Sequence, residues 1–267
     1  MSELDIIKKT KTPNTVESLI RDFHKLGLKY KDTVLVHSSL FSIGWVCGEE
    51  NAVIQALLQT VGKEGTICMP AHSGGSDPAE WKNPPVPKEW NEIIYKNMPA
   101  FSPAITPTRG MGRIAELFRK YPGTLRSYHP HTSFCANGKN AKEITENHAL
   151  TPQFGMESPL GKLYKLNAKV LLLGVNYNSC TSFHMGEVLN GNIAKVQAGA
   201  AMEINHIREW VWFKDYDYNC DDFDKLGKDL ERQGQVVTGN VGNAVCKFFD
   251  IKSGVDFSAK WLKENRG

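Results

Sequence analysis

Thr33-Val34-Leu35-Val36-His37, a hydroxyl- and glycine-rich loop from Ser38 to Gly48, a helical segment over 49–61 and the run Thr66-Ile67-Cys68-Met69 together decide the fold class. Apolar and β-branched residues fill both short runs, and Pro70 stops the second. Strand, loop, helix and strand in that order open an α/β sheet. Downstream, residues 168–175 form a run that is apolar but for Lys169, between Asn167 and Asn176, as expected of a strand buried on both faces. Upstream, Val16, Leu19, Ile20, Phe23 and Leu26 recur at helical spacing, with Asn14 and Glu17 as a capping pair and Gly27 as the stop. Helices are also predicted over 112–120, 141–148, 160–166, 181–190, 223–231 and 256–265, and strands over 132–136, 208–214 and 244–249.

Composition bounds the rest. With 267 residues, 41% hydrophobic and 23% charged, the chain reads as one globular α/β domain. Its 32 Lys and Arg against 29 Asp and Glu leave a net charge of +3, too small for a nucleic-acid clamp. No apolar run approaches the ~20 residues that span a bilayer, and the acidic start Met1-Ser2-Glu3-Leu4-Asp5 is unlike a signal peptide. A cytoplasmic protein with neither nucleic acid nor membrane as partner is expected. The six cysteines include no CxxC pair, so they read as reduced thiols packed as small hydrophobes, and no metal is expected. Eight of the thirteen prolines fall within residues 70–107, together with Trp81 and Trp90. This stretch cannot supply central strands or long helices. It is too long for an idle connector, and its tryptophans favour a packed lid over a disordered linker.

Four clusters carry chemistry. Gly110-Met111-Gly112-Arg113-Ile114-Ala115 satisfies the spacing of a dinucleotide loop, but two prolines precede it where a strand is required. As an acetyltransferase pyrophosphate loop it also fails, because Ile114 stands where Gly or Ala belongs. What survives is a glycine-rich helix start flanked by Arg109 and Arg113, suited to an anion; the plain alternative is a tight turn. Val36-His37-Ser38-Ser39-Leu40 leaves the carboxyl end of a strand, where open α/β sheets bind ligands. In Thr181-Ser182-Phe183-His184-Met185-Gly186-Glu187, the i, i+3 spacing lets Glu187 hydrogen-bond the His184 imidazole, giving either a general base or a structural pair. His129-Pro130-His131 puts two rings on one side of an extended segment, or forms an ordinary turn. The acidic cluster Asp215, Asp217, Asp221 and Asp222 suits a polycation, or is simply solvated.

Taken in order, these segments resemble the aminoglycoside N3-acetyltransferase (antibiotic N-acetyltransferase) family, and its Bacillus-type members in particular. The resemblance is carried by Val36-His37-Ser38-Ser39-Leu40 and the residues through Val46, Asn83-Pro84-Pro85-Val86-Pro87, and Thr106-Pro107-Thr108-Arg109-Gly110-Met111-Gly112-Arg113-Ile114-Ala115-Glu116. It continues through Arg126-Ser127-Tyr128-His129-Pro130, Ser158-Pro159-Leu160-Gly161-Lys162-Leu163-Tyr164, and Thr181-Ser182-Phe183-His184 with Glu187. The family implies an α/β/α layered domain with a central mixed sheet, distinct from the GCN5 type. It implies transfer of acetyl from acetyl-CoA, as co-substrate, to the 3-amino group of 2-deoxystreptamine aminoglycosides, which confers resistance. Acetyl-CoA would lie against His37, Ser38, Ser39, Ile43, Gly44, Thr108, Arg109, Gly110 and Met111. Its phosphates would sit near the glycine-rich helix start, with Arg109 or Arg113 supplying charge. His184 would be the general base held by Glu187, with Ser38 and Thr181 as oxyanion candidates. Asp77, Glu80, Asp215 and Asp217 would meet the polycationic acceptor. Another amine as acceptor, or CoA binding without turnover, stays open at this point, as does a homodimer.

Overall fold

Along β1 (Thr33–Ser38) successive side chains face opposite sides of the strand, so Val34 and Val36 look one way and Leu35 and His37 the other. All but Ser38 are buried, which demands cover on both faces. The computed structural model describes residues 2–82 and 84–266; Asn83, in the proline-rich segment, lies outside the described residues. β1 runs parallel to β2 (Thr66–Pro70) on one side and to β5 (Lys169–Leu173) on the other. Antiparallel strands extend the sheet outward. Beyond β2 come β4 (Phe134–Gly138) and β3 (Leu125–Arg126); beyond β5 come β9 (Ala244–Asp250) and β8 (Val237–Val241). The seven-stranded mixed sheet has the order β3-β4-β2-β1-β5-β9-β8.

Helices complete the two outer layers. α2 (Val16–Leu26), α4 (Glu49–Val61) and α6 (Gly112–Lys120) cover the Val34 and Val36 face, burying Phe23, Leu57 and Phe118 against it. α7 (Ala141–Thr145), α8 (Pro159–Lys165), α9 (Ser182–Asn190), α10 (Phe223–Arg232) and α11 (Ile251–Arg266) cover the Leu35 face with Ile144, Leu163, Phe183, Leu230 and Leu262. Shorter helices α1 (Glu3–Lys9), α3 (Leu40–Ile43) and α5 (Asn91–Asn97) lie in the connections. The α/β/α layering with a central mixed sheet that the family resemblance implies is what forms.

Several local expectations need correction. The cap of α2 is Thr15, reciprocating with Ser18, and not Asn14. The Asn14 amide instead donates to the carbonyls of Ile43 and Trp45, at 3.0 and 3.2 Å. The predicted strand over 208–214 is β7 (Ile207–Tyr216), and its partner β6 (Lys195–Ile204) was not expected. Gly199 and three alanines dilute the strand signal of β6, and the hairpin turns on Asn205 and His206, both left-handed, with no glycine to announce it. β8 hides behind Gly239 and Asn240 for the same reason.

The proline-rich segment is a packed arm, not a linker. Tyr95 sits against Trp210 and Trp212 of the β6–β7 hairpin, with ring centroids 4.8 and 5.3 Å apart. Arg208 Nε donates to Met98 O at 2.9 Å, and Phe101 N donates to Ala201 O at 2.9 Å. From the sheet side, the half-buried Arg126 guanidinium donates to the carbonyls of Ala71, Pro103 and Thr106.

α9 and α11 touch through a glycine. A Cβ on Gly186 would lie 1.9 Å from Ser258 Oγ and 2.9 Å from Ala259 N. In an open helix, alanine would stabilise relative to glycine. Here we expect Gly186→Ala to destabilise the fold by about 1–3 kcal/mol, measured by urea unfolding. A variant as stable as the parent would show that the two helices can separate freely.

Candidate active site

Three parallel strands end at one edge of the sheet, and the chain leaving each of them converges on the same place. β1 delivers His37 and Ser38, β2 leads into Pro70 and His72, and β5 leads through residues 174–181 to α9 and His184. The chain leaves β1 toward β2 on one side while β5 lies on the other, and such a divergence opens a crevice outside the carboxyl ends of the strands. A cavity of about 450 Å³ occupies it. His37, Ser38, Ser39, His72, Thr181 and His184 line one part, and Gly110, Met111, Gly112 and Arg113 at the start of α6 line another.

His184 is held on every side. Its Nδ1 lies 2.5 Å from Glu187 Oε2, one helical turn on. A carboxylate can only accept, so Nδ1 carries the hydrogen and Nε2 of the neutral ring carries a lone pair. Phe154 stacks on the ring at 5.1 Å and 13°, while Tyr218 and Phe223 close two further sides at 5.5 and 4.9 Å. Glu187 is itself buried. Its Oε1 accepts from the backbone N–H of Asn219 at 3.2 Å and from the guanidinium of Arg266 in the last turn of α11.

Two more histidines face the cavity. His37 is 5% exposed and its Nε2 has no hydrogen-bond partner; His72 Nε2 is also unpartnered. Burial, reinforced for His37 by His184 and for His72 first by His37, pushes each ring down to about 3, so both are neutral at physiological pH. His72 and the aromatic box around His184 are additions to the expected set. The strand-end rule that selects His37 also selects His72, two residues past Pro70. Phe154, Tyr218 and Phe223 sit in ordinary apolar contexts and carry no signal.

At the start of α6, Gly110 and Gly112 both adopt left-handed backbone, at φ +74° and +81°, and no side chain caps the helix. First-turn N–H groups are therefore free of side-chain caps where they border the cavity. Glu116 fixes the turn, accepting from Thr108 N and Oγ1 at 2.9 and 2.8 Å. The two arginines differ. Arg113 borders the cavity but is paired with Glu49 and Glu50, whereas Arg109 lies over Trp81, 5.4 Å from the ring, and against Gly74.

Other predicted residues stand apart. Ile43 is in the core, and Gly44 borders a shallow neighbouring pocket of about 90 Å³. Asp77 is buried and accepts from Ala79 N and Tyr95 Oη; Glu80 is exposed. Asp215, 2% exposed, is consumed by Gln153 N, Tyr216 N, Thr151 and Tyr218, while Asp217 is exposed. The His129–His131 pair does not face the cavity. His129 Nε2 donates to Leu150 O at 3.1 Å, and its Nδ1 accepts from the N–H groups of His131 and Thr132. His131 Nε2 donates to Gly199 O at 3.0 Å, tying β4's approach to the hairpin. Among the described residues, no group of three or more His, Cys, Asp or Glu could hold a metal ion, and no helix is long and apolar enough to cross a membrane.

Because His37 stays neutral when folded down to about pH 3 but takes a proton near 6.5 when unfolded, its contribution is fully present above pH 6.5 and drains as pH falls. Stability measured by urea unfolding should therefore drop between pH 6.5 and 4, by on the order of 1 kcal/mol per pH unit for such a histidine. His37→Gln should flatten that slope. Parallel slopes for variant and parent would argue against a neutral buried ring.

A sequence model of the family described as aminoglycoside 3-N-acetyltransferase matches residues 35–263. The SPbeta prophage-derived aminoglycoside N(3')-acetyltransferase-like protein YokD of Bacillus subtilis is 45% identical over 97% of this chain and 96% of that protein. Its crystal structure superposes with a TM-score of 0.97 over 98% of each chain, at 44% identity. Aminoglycoside N(3)-acetyltransferase VII of Streptomyces paromomycinus is 31% identical over 100% of this chain and 98% of its own. The structure of AAC-IIIb binary with CoASH gives a TM-score of 0.85 at 28% identity, covering 95% of this chain and 97% of that one. The chain belongs to the aminoglycoside 3-N-acetyltransferase family, and is an acyltransferase with that family's fold, not the GCN5 type.

Proposed function

We propose that this member of the aminoglycoside 3-N-acetyltransferase family transfers the acetyl group of acetyl-CoA directly to the 3-amino group of a 2-deoxystreptamine aminoglycoside, with His184 as general base. The observation that carries the reading is the Glu187-locked imidazole, its Nε2 left for substrate, lining a cavity at the carboxyl ends of three parallel strands.

The residues suit acetyl-CoA. The uncapped start of α6 offers backbone N–H groups to phosphate. Arg113 adds charge there, shared with Glu49 and Glu50. Ser38, Thr181 and His184 share the same cavity and are the groups we assign to the acetyl end. A related structure described as holding CoASH supports this donor.

The chemistry follows from the tautomer. The reacting form is the neutral amine, since an ammonium has no lone pair; His184 Nε2 takes the one proton that the nitrogen loses as it attacks the thioester carbonyl. Glu187 stabilises the imidazolium and keeps it aligned. Ser38 and Thr181 hydroxyls, and the neutral ring of His37, are donors for the charge developing on the carbonyl oxygen. The carbon–sulfur bond breaks, the amide forms, and the proton on His184 passes to the departing thiolate. Asp77 is buried and engaged by Tyr95, and Asp215 is bonded through both carboxylate oxygens. Glu80 and Asp217, both exposed, are therefore the carboxylates of that set able to meet an ammonium. That sparse acidic surface favours, as a second reading, a different amine at the same site. The exposed arm and the hairpin would then decide the acceptor.

Free-thiol release from acetyl-CoA, followed across 2-deoxystreptamine aminoglycosides and unrelated amines, separates the readings. Aminoglycoside-dependent release supports the first, release with other amines alone supports the second, and CoA binding without release for any amine removes both. His184→Ala should lower kcat by roughly 10²–10⁴-fold with acetyl-CoA affinity nearly intact; unchanged turnover would take His184 out of the mechanism.

A further inference from the structure

We propose that Arg266, 79 positions after Glu187, is a positioning residue for the reaction, acting through Glu187 on the His184 imidazole. The proposal rests on the reading of His184 as the base. Its geometry is specific. One terminal nitrogen of the guanidinium meets Glu187 Oε1, the carboxylate oxygen that His184 does not use. Nε donates to Asp222 Oδ2 at 2.8 Å, and the other terminal nitrogen donates to Asp222 Oδ1 and, at 2.7 Å, to Asn219 O. Asp222 thus grips the guanidinium by two prongs and aims it at Glu187. The guanidinium carbon lies 5.8 Å from the centre of the Phe223 ring, which packs on His184.

This arrangement answers a physical need. Glu187 is 1% exposed, and an ionised carboxylate removed from water is strongly disfavoured unless it is paired and hydrogen-bonded. His184 alone is a poor counter-charge, because as a base it must be neutral at the start of each cycle. Arg266 supplies a permanent positive charge whatever the state of the imidazole, and its neighbours hold it even more firmly protonated than usual. Glu187 then keeps its place and accepts from Nδ1, and Nε2 remains the basic nitrogen. Without Arg266, the carboxylate would lose its permanent counter-charge and its anchor, and the tautomer would lose its lock. The Gly186 contact sets the distance, because it brings α9 close enough to α11 for the last turn of α11 to reach across to Glu187.

The test is a double-mutant cycle on the full chain, read by thiol release with saturating acetyl-CoA and the best acceptor of the panel. Arg266→Ala should lower kcat about 10- to 100-fold, the usual effect of removing a partner that orients a functional group. KM for both substrates should stay within about twofold of the parent. In the His184→Ala background the same change should cost less than about twofold, because the group it positions is gone. Arg266→Lys keeps charge without the two-pronged grip and is expected between parent and Arg266→Ala; it is read in the same cycle should the alanine variant fold poorly. Undiminished kcat in both Arg266 variants, or an equal loss with and without His184, would overturn the positioning role while leaving His184 as base. An inactive Arg266→Ala beside a fully active His184→Ala would instead overturn the base assignment itself.

Discussion

A carboxylate shut away from water must be neutralised, and much of this protein is arranged around one such group. Glu187 is 1% exposed, on a helix whose own glycine lets it press against α11. One oxygen is committed to His184 and the other to Asn219 and Arg266. Those partners come from α9, the connection ahead of α10, and α11, so a single charge ties together the layer that covers one face of the sheet. The same tie dictates which imidazole nitrogen carries a hydrogen. Fold stability and acid–base chemistry therefore draw on the same contacts, and the proposed function follows from the direction in which the remaining lone pair faces.

The sheet contributes the second constraint. Alternation along β1 sends Val36 into one core and His37 toward the opposite face, at the strand's carboxyl end where Leu172 of β5 lies alongside. A polar ring there has no backbone partner to satisfy it, and its Nε2 is left without one. His72 arrives from β2 in the same condition. Two neutral imidazoles beside a third held by a buried carboxylate put polar rings at the carboxyl ends of the strands. Such a site suits a reaction in which charge appears on a carbonyl oxygen and must be met by donors already in place.

The parts legible in the sequence are those governed by local rules. The largely apolar run over 168–175, the strand–loop–helix–strand opening and the i, i+3 pairing of His184 with Glu187 depend on near neighbours, and each takes the form expected. The features that escape depend on distant groups. Asn14 reads as a cap by composition, yet its amide is spent 29 and 31 positions away. Asp215 reads as a ligand for a polycation, yet Gln153, Thr151 and Tyr218 take up its carboxylate. Arg266 looks like one more basic residue ending an amphipathic helix, and only the packing of α9 on α11 reveals its partner. The hairpin is half hidden because its turn is made by Asn205 and His206 at positive φ and not by glycine.

The proposed chemistry requires His184 and the thioester to share one cavity, close enough for a single acceptor nitrogen to touch both. A crystal structure of the protein with CoA bound would measure that separation outright. The phosphates should lie at the start of α6 and the sulfur within roughly 6 Å of His184 Nε2, the span that one attacking amine can bridge. A sulfur lodged on the far side of the sheet, or an imidazole whose Nε2 stays out of reach of the sulfur with CoA in place, would rule the mechanism out.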